Sequence, residues 1–282
     1  MAMTPRRVLV VGSPNVGKSL LFNCLTGDYV TVSNYPGTTV EISSGRMRTG
    51  GQSYDIIDTP GIYSLSPITE EERVTCECLL SEKPHAVIHV IDAKNIGRML
   101  GLTLQLAEAG LPLIVVLNMA DEARAVGVRI DTAKLQEFTG VPVVETVATT
   151  GEGVPALISR IAAAAPITPV PLAYGPEIED AVTRLSGLLP SESPVSSRTR
   201  SLLLLQEDPE QTSLLLKSLD AAAAGRILGI VSTTRNQLEH SIHYHSTLAV
   251  KQRVDRILGA CMSVSERGRD FRETLSRFLM RP

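Results

Sequence analysis
The stretch Gly12-Ser-Pro-Asn-Val-Gly-Lys-Ser19 fits G-x-x-x-x-G-K-[ST], a glycine-rich loop that folds its backbone N–H groups around a phosphate anion. Gly12, Asn15, Val16, Gly17 and Leu20 would line that cradle. Lys18 would reach the β- and γ-phosphate oxygens of a nucleotide, and the Ser19 hydroxyl would bind Mg²⁺. Asp58-Thr-Pro-Gly61 fits D-x-x-G, with a carboxylate to hold Mg²⁺ through water and a Gly61 N–H to sense the γ-phosphate. Asn118-Met-Ala-Asp121 fits N-x-x-D. Asp121 can accept hydrogen bonds from guanine N1–H and the exocyclic amine together, a donor pair that adenine lacks. Asn118 would contact the purine and tie neighbouring loops, and the Ala148 and Thr149 N–H groups could meet guanine O6. Alone, D-x-x-G marks a turn and N-x-x-D a helix cap; in order behind a phosphate loop they specify GTP and GDP.

Each motif needs an element to aim it. Arg7-Val-Leu-Val-Val11 reads as a buried strand before the phosphate loop, and Leu20 to Thr26 as the helix after it, closed by Gly27. Asp28 to Glu41 is polar, Gly-bearing and without periodicity, which predicts a mobile loop. Ile42 to Thr49 and Ser53 to Ile57 predict a hairpin turning at Gly50-Gly51. Ala86 to Asp92 and Leu113 to Asn118 are continuous apolar runs suited to central parallel strands, with helical patterns at Glu71 to Ser81 and Met99 to Ala109. Glu70-Glu-Glu72 suits a helix N-terminus, where carboxylates meet the dipole. Val141 to Val147 supplies a further strand and Val154 to Ala163 a helix. Strand and helix alternate through residue 165, so residues 1–165 should form an α/β, doubly wound GTP-binding domain with its ligand at the strand C-termini.

Three positions would set the rate. A GTPase needs a loop threonine as a second Mg²⁺ ligand, and Thr38 and Thr39 both qualify. Gly61 is followed by Ile62, whose apolar side chain cannot orient the attacking water as a glutamine does in many small GTPases, so intrinsic turnover should be slow. The Asn15 amide either caps the phosphate loop or coordinates a monovalent cation beside the phosphates.

Residues Gly12 to Asn23, Asn34-Tyr-Pro-Gly-Thr-Thr-Val-Glu41 and Asp58-Thr-Pro-Gly-Ile-Tyr-Ser-Leu-Ser-Pro67 resemble the cytosolic GTPase of the bacterial ferrous iron transporter B (FeoB) family. The resemblance continues through Glu71 to Leu80, Asn118 to Asp121, Thr150-Gly-Glu-Gly153 and Tyr174-Gly-Pro-Glu-Ile-Glu179. It implies a Ras-like P-loop fold and GTP hydrolysis in the service of iron transport. It places the switch threonine at Thr39, and it puts Asn15 where potassium-dependent members carry their K⁺-binding asparagine. The chain departs from the family at Tyr35, Thr59 and Ala148, where Trp, Leu and Ser are common.

Ala162 to Pro171 is Ala/Pro-rich and reads as a linker. Beyond it the pattern is helical, at Glu177 to Leu188, Arg198 to Leu205, Glu210 to Gly229, Thr233 to Ser241, Thr247 to Met262 and Arg272 to Met280, with no strand expected. The resemblance makes residues 170–282 a helical regulatory domain that favours GDP retention and leads to a membrane part. His240, His243 and His245 beside Glu239 invite a metal reading; helical spacing would bring His240 and His243 together and point His245 elsewhere, which suits a solvated surface better.

The net charge of −3 argues against nucleic acid as a partner, and against the runner-up reading of a ribosome- or tRNA-associated GTPase. A third reading, a GTP-gated scaffold without turnover, follows from Ile62. The four cysteines lack disulfide or zinc spacing and read as reduced thiols. No apolar run approaches the ~18 residues needed to span a bilayer. From Lys251 to Pro282 basic residues outnumber acidic ones by eight to four, which suits a segment beside the cytoplasmic membrane face. The chain is expected to be the N-terminal portion of a longer inner-membrane protein, partnered by its own C-terminal transmembrane iron-transport domain and a candidate for self-association.

Overall fold
Val8, Leu9, Val10 and Val11 are fully buried because both faces of their strand, β1 (Arg6–Val11), are covered. Val8 and Val10 pack into one apolar layer and Leu9 and Val11 into the other. The computed structural model describes residues 5–27, 30–190, 192–206, 208–217 and 219–265. After β1 come α1 (Lys18–Thr26), β2 (Val30–Asn34), β3 (Glu41–Thr49), β4 (Gln52–Asp58), α2 (Glu70–Ser81) and β5 (Ala86–Asp92). A turn of 3₁₀ helix, Ala93–Asn95, leads into α3 (Ile96–Glu108), then β6 (Leu113–Asn118), α4 (Ala120–Ala125), β7 (Val128–Ile130), α5 (Thr132–Thr139), β8 (Val143–Glu145) and α6 (Val154–Ala162).

The seven-stranded sheet runs β2-β3-β4-β1-β5-β6-β8. β1 is parallel to β4 and β5, and β5-β6-β8 continue parallel, whereas β2, β3 and β4 form antiparallel pairs. α1 and α6 cover one face, and α2, α3 and α5 the other. The expected doubly wound architecture is present, with the C-terminal ends of β1, β4, β5 and β6 along one edge.

The segment expected to be a loop contains β2. Val30-Thr-Val-Ser-Asn34 pairs with Glu41–Gly45, and all five of its residues are exposed. An edge strand with no covering helix needs no apolar alternation, so it reads as loop. The hairpin turn holds: Gly50 and Gly51 take φ of 56° and 74°, the left-handed pair that a tight β-turn requires.

The second half comprises α7 (Pro176–Ser186), α8 (Ser197–Gln206), α9 (Pro209–Leu216), α10 (Ala221–Gln237), α11 (Ile242–Cys261) and β9 (Met262–Val264). Three expectations are corrected. Glu210 to Gly229 is two helices, because Asp220 caps α10 by accepting the Ala223 N–H at 2.7 Å. α10 then runs through Gly225 and Gly229 and absorbs most of the helix expected at 233–241. α11 starts at Ile242, where the Ser241 hydroxyl accepts the Tyr244 N–H, and Met262–Val264 is a strand, antiparallel to β7. The helix expected at 272–280 lies outside the described residues.

The linker itself, residues 162–171, is exposed or half-buried and meets α3 where the Val170 N–H donates to the Ala107 carbonyl at 3.4 Å; the packing begins just past it. Leu172 is buried, its N–H bonds to Glu108 Oε1 at 3.0 Å, and Arg198 reaches Glu108 Oε1 at 2.9 Å and the Glu179 carboxylate at 2.7–2.8 Å. Leu203, Val254, Ile257 and Cys261 share the core of α2 and α3, so the helical part is welded to the α/β part. A second apolar core, around Ile178, Leu185 and Ile227, belongs to the helices alone. Among the described residues no helix is long and apolar enough to cross a membrane.

Candidate nucleotide site
The phosphate loop joins the end of β1 to α1, and its glycines are there for space. A Cβ on Gly12 would lie 2.4 Å from the Val90 carbonyl oxygen, and one on Gly17 would lie 2.4 Å from Asn118 Nδ2. Asn15 holds φ of 63°, rare for a residue with a side chain, and is exposed on the loop. Val16 is buried and anchors the loop, while Leu20 is 42% exposed.

Lys18 opens α1. Its Nζ donates to the Ser13 carbonyl at 3.0 Å, and burial lowers its pKa while Asp58 opposes the shift. A largely buried ammonium satisfied by one carbonyl is primed to donate to anionic oxygens instead. The Ser19 hydroxyl donates to Asp58 Oδ2 at 2.7 Å. Asp58 Oδ1 is buried with no partner, and burial raises the carboxyl's pKa against the pull of Ser19 and Lys18. A hydroxyl and an orphaned carboxylate oxygen beside a phosphate loop fit a hard divalent cation, which takes oxygen ligands.

Asn118 is the keystone of the base side. Its Nδ2 donates to the Val16 carbonyl at 3.0 Å, and its Oδ1 accepts the Thr146 hydroxyl at 3.0 Å and the Ala148 N–H at 3.1 Å. The end of β6 thus fastens the phosphate loop to the loop after β8. Met119 turns left-handed at φ 58°, which starts α4 and sets the exposed Asp121 in its first turn. Cys24 adds a contact from α1, its thiol 3.3 Å from the Ala148 carbonyl. Thr149 is exposed beside Ala148.

The two loops after β2 and β4 differ in how tightly they are held. Thr38 is spent on its own turn: its hydroxyl donates to the Tyr35 carbonyl at 3.1 Å and accepts the Val40 N–H at 3.2 Å. Thr39 is exposed. Gly61 lies against the phosphate loop, where a Cβ would meet Pro14 Cγ at 2.6 Å. Ile62 is fully buried, with its N–H on the Gly12 carbonyl at 3.1 Å, so its side chain is core and not catalytic.

Three groups escaped sequence reasoning, Thr146, Gln206 and Asp208, and Glu72 does more than the helix N-terminus expected of it. Glu72 forms a capping box with Thr69, and its carboxylate also accepts the Tyr63 and Ile68 N–H groups at 3.4 and 2.8 Å. Thr69-x-x-Glu72 was readable as a cap signal. Ser66 donates to Gln206 at 2.5 Å and Arg73 reaches both Asp208 oxygens at 3.0–3.2 Å, tying residues 63–73 to the helical part. These partners lie over a hundred residues away and leave no local signal.

The histidine expectation needs correcting too. α11 starts after His240, so His240 packs against Tyr244 and His245, with ring centroids 4.6 and 6.4 Å away. Among the described residues no three His, Cys, Asp or Glu side chains come together as a metal-binding group. All four cysteines are unpaired.

Known proteins resemble this chain in sequence and fold. Residues 6–161 match the family described as ferrous iron transport protein B, and residues 174–263 match the FeoB cytosolic helical domain. The Fe(2+) transporter FeoB of Staphylococcus aureus is 31% identical over 253 residues, covering 88% of this chain and 36% of the relative. That of Escherichia coli K12 is 38% identical over 196 residues, covering 67% of this chain and 25% of the relative. The chain therefore spans about a quarter to a third of these curated relatives' length. Among solved structures, a GDP-bound variant of S. thermophilus NFeoB superposes with a TM-score of 0.81 at 30% identity, covering 92% of this chain and all of that one. The cytosolic domain of L. pneumophila FeoB gives 0.79 at 29% identity, covering 91% and 99%. The cytosolic domain of T. maritima FeoB in its GMPPNP form gives 0.75 at 29% identity, covering 92% and 99%.

Proposed function
Because the chain belongs to the ferrous iron transport protein B family, we propose that it binds GTP with Mg²⁺, hydrolyses it slowly to GDP, and so regulates ferrous iron transport by a longer membrane protein. Residues 1–165 are the G domain of this reading, and 170–282 the helical regulatory domain that leads to a transmembrane transport part. The observation that carries it is the pairing of Ser19 with Asp58 at the foot of the phosphate loop, with Asp58 Oδ1 buried and unpartnered.

The residues divide the work. Gly12 through Leu20 wrap the phosphates with main-chain N–H groups, and Lys18 exchanges the Ser13 carbonyl for phosphate oxygens. Ser19 and Thr39 would hold Mg²⁺ directly and Asp58 through water; the ion, when bound, neutralises phosphate charge. Thr39 is favoured over Thr38 because the Thr38 hydroxyl is already used twice. Gly61 reports the γ-phosphate by its N–H. Asp121 selects guanine. With the Ala148 N–H given to Asn118, Thr149 is the better donor to guanine O6. Since Ile62 is buried, water must be placed by other groups, which keeps turnover slow. Asn15, exposed on the loop in a left-handed conformation, is the group on this chain that could present an amide oxygen to K⁺ beside the phosphates.

GTP hydrolysis in potassium against sodium, at equal ionic strength and with Mg²⁺, tests the reading. The wild type should run several-fold faster in potassium, and Asn15→Ala should lose that response. Equal slow rates in both salts would make Asn15 structural, and no turnover in either would favour a GTP-gated scaffold.

A further inference from the structure
We propose that a cleft between residues 63–66, α3 and α11 is a second binding site, for a small phosphate-bearing anion. Its volume is about 390 Å³, within the ~300–1,000 Å³ range of ligand pockets. None of its lining residues belongs to the nucleotide site.

The chemistry of the walls points to an anion. Arg98 from α3 and His243 and Lys251 from α11 line the cleft, against a single carboxylate, Asp255. All four are exposed, and none has an ion-pair partner among the described residues. By contrast, Arg73 is spent on Asp208, and Arg198 on Glu108 and Glu179. Neutral donors fill in between. Ser246 and Thr247 line the cleft, as does Gln105, while the Ser64 hydroxyl is spent on the Ser66 carbonyl. Gln105 Oε1 accepts the Leu65 N–H at 2.9 Å, which leaves its NH₂ group as the donor. Two fixed cations, Arg98 and Lys251, with neutral donors beside them on α3 and α11, match tetrahedral P–O oxygens better than a flat or apolar partner.

The floor explains why the cleft has a fixed shape. A Cβ on Gly101 would lie 3.0 Å from Val250 Cγ1, and one on Gly97 would lie 3.1 Å from Leu258 Cδ1. α11 therefore rests on the bare backbone of α3, and the long Arg98 and Lys251 side chains stand beside the contact. Residues 63–66 make the remaining wall, and Ser66 also holds Gln206.

The test is calorimetric titration of the full chain, loaded with GDP and Mg²⁺ so that the phosphate loop is filled, with inorganic pyrophosphate. Saturable binding is expected. Arg98→Gln and Lys251→Gln should each weaken it about tenfold, as loss of a charge-assisted bond does, and both sites are exposed, so thermal midpoints should stay put. Citrate in place of pyrophosphate should bind far more weakly. Vesicles of phosphatidylglycerol against phosphatidylcholine separate the sources: retention on the anionic vesicles that needs Arg98 and Lys251 assigns the phosphate to a lipid headgroup, and binding of pyrophosphate alone assigns it to a free ligand. Absence of binding in both arms, binding untouched by either substitution, or citrate binding as tightly would overturn the proposal. It does not rest on GTP hydrolysis, so a protein that binds GDP and never turns over leaves it standing.

Discussion

At the scale of single residues, Gly61 is held close against the phosphate loop. It lies where a Cβ would come within 2.6 Å of Pro14 Cγ and 3.1 Å of Pro14 N, and a proline ring has little room to give. Gly61→Ala should therefore shift this loop by a fraction of an ångström or more. Misplacement on that scale costs about 100-fold in rate, so hydrolysis should fall that far while GDP affinity changes several-fold at most. Single-turnover kinetics beside a fluorescent-GDP titration would separate the two, and equal losses in both would contradict the assignment. Motif residues were legible in the sequence because their chemistry demands contiguous spacing: Lys18 opens α1, and Asp58 and Asn118 end β4 and β6. Thr146, which donates to Asn118 Oδ1 from 28 positions away, was not, because only the fold brings it there.

At the scale of elements, α2 is where local sequence and tertiary role coincide. Thr69 accepts the Glu72 N–H at 3.2 Å and Glu72 returns the bond to Thr69, which starts the helix. Glu72 alone goes further, fixing the Tyr63 and Ile68 N–H groups. Thr69→Ala should cost about 1 kcal/mol of stability, the worth of a cap, and leave hydrolysis intact. Glu72→Ala should lower both stability and hydrolysis. Chemical denaturation and turnover assays on the pair would decide, and equal effects on hydrolysis would reduce Glu72 to a cap. Buried strands and amphipathic helices were legible because both faces of a covered sheet demand apolar runs, as in β5 and β6, where every residue is buried. β2 was not legible, being exposed throughout, and β9 was not, since a three-residue strand takes its identity from β7.

At the scale of the whole molecule, the core has an acid-sensitive group. His89 sits within β5, fully buried, with Nδ1 2.9 Å from the Thr103 hydroxyl and Nε2 unpartnered. Burial, helped by Lys18, pushes its pKa down to about 3. The unfolded chain takes up that proton near pH ~6.5, so the native state holds its full advantage above that pH. It loses about 1.4 kcal/mol per pH unit as the pH falls from there toward the folded value. His89→Leu should flatten this component. Urea titrations at pH 7, 6 and 5 would show it as a shrinking gap between wild type and variant on the acid side; parallel curves would mean that His89 does not titrate on unfolding.

The division into an α/β half and a helical half was legible from the change in periodicity after residue 165. The weld between them was not: Glu108, Arg198 and Glu179 join α3, α8 and α7 across up to 90 positions.

The central claim is that this site binds and hydrolyses a guanine nucleotide, and base selection tests it most directly. Phosphate release should be followed with GTP, ATP and XTP in parallel, with Mg²⁺ and potassium, for the wild type and Asp121→Asn. The wild type should hydrolyse GTP and leave ATP and XTP almost untouched. Asp121→Asn should lose GTP and gain XTP, because an amide can donate to the second ring carbonyl where the carboxylate could only accept. Equal use of ATP and GTP, or an Asp121→Asn variant that keeps its preference for GTP, would contradict the account.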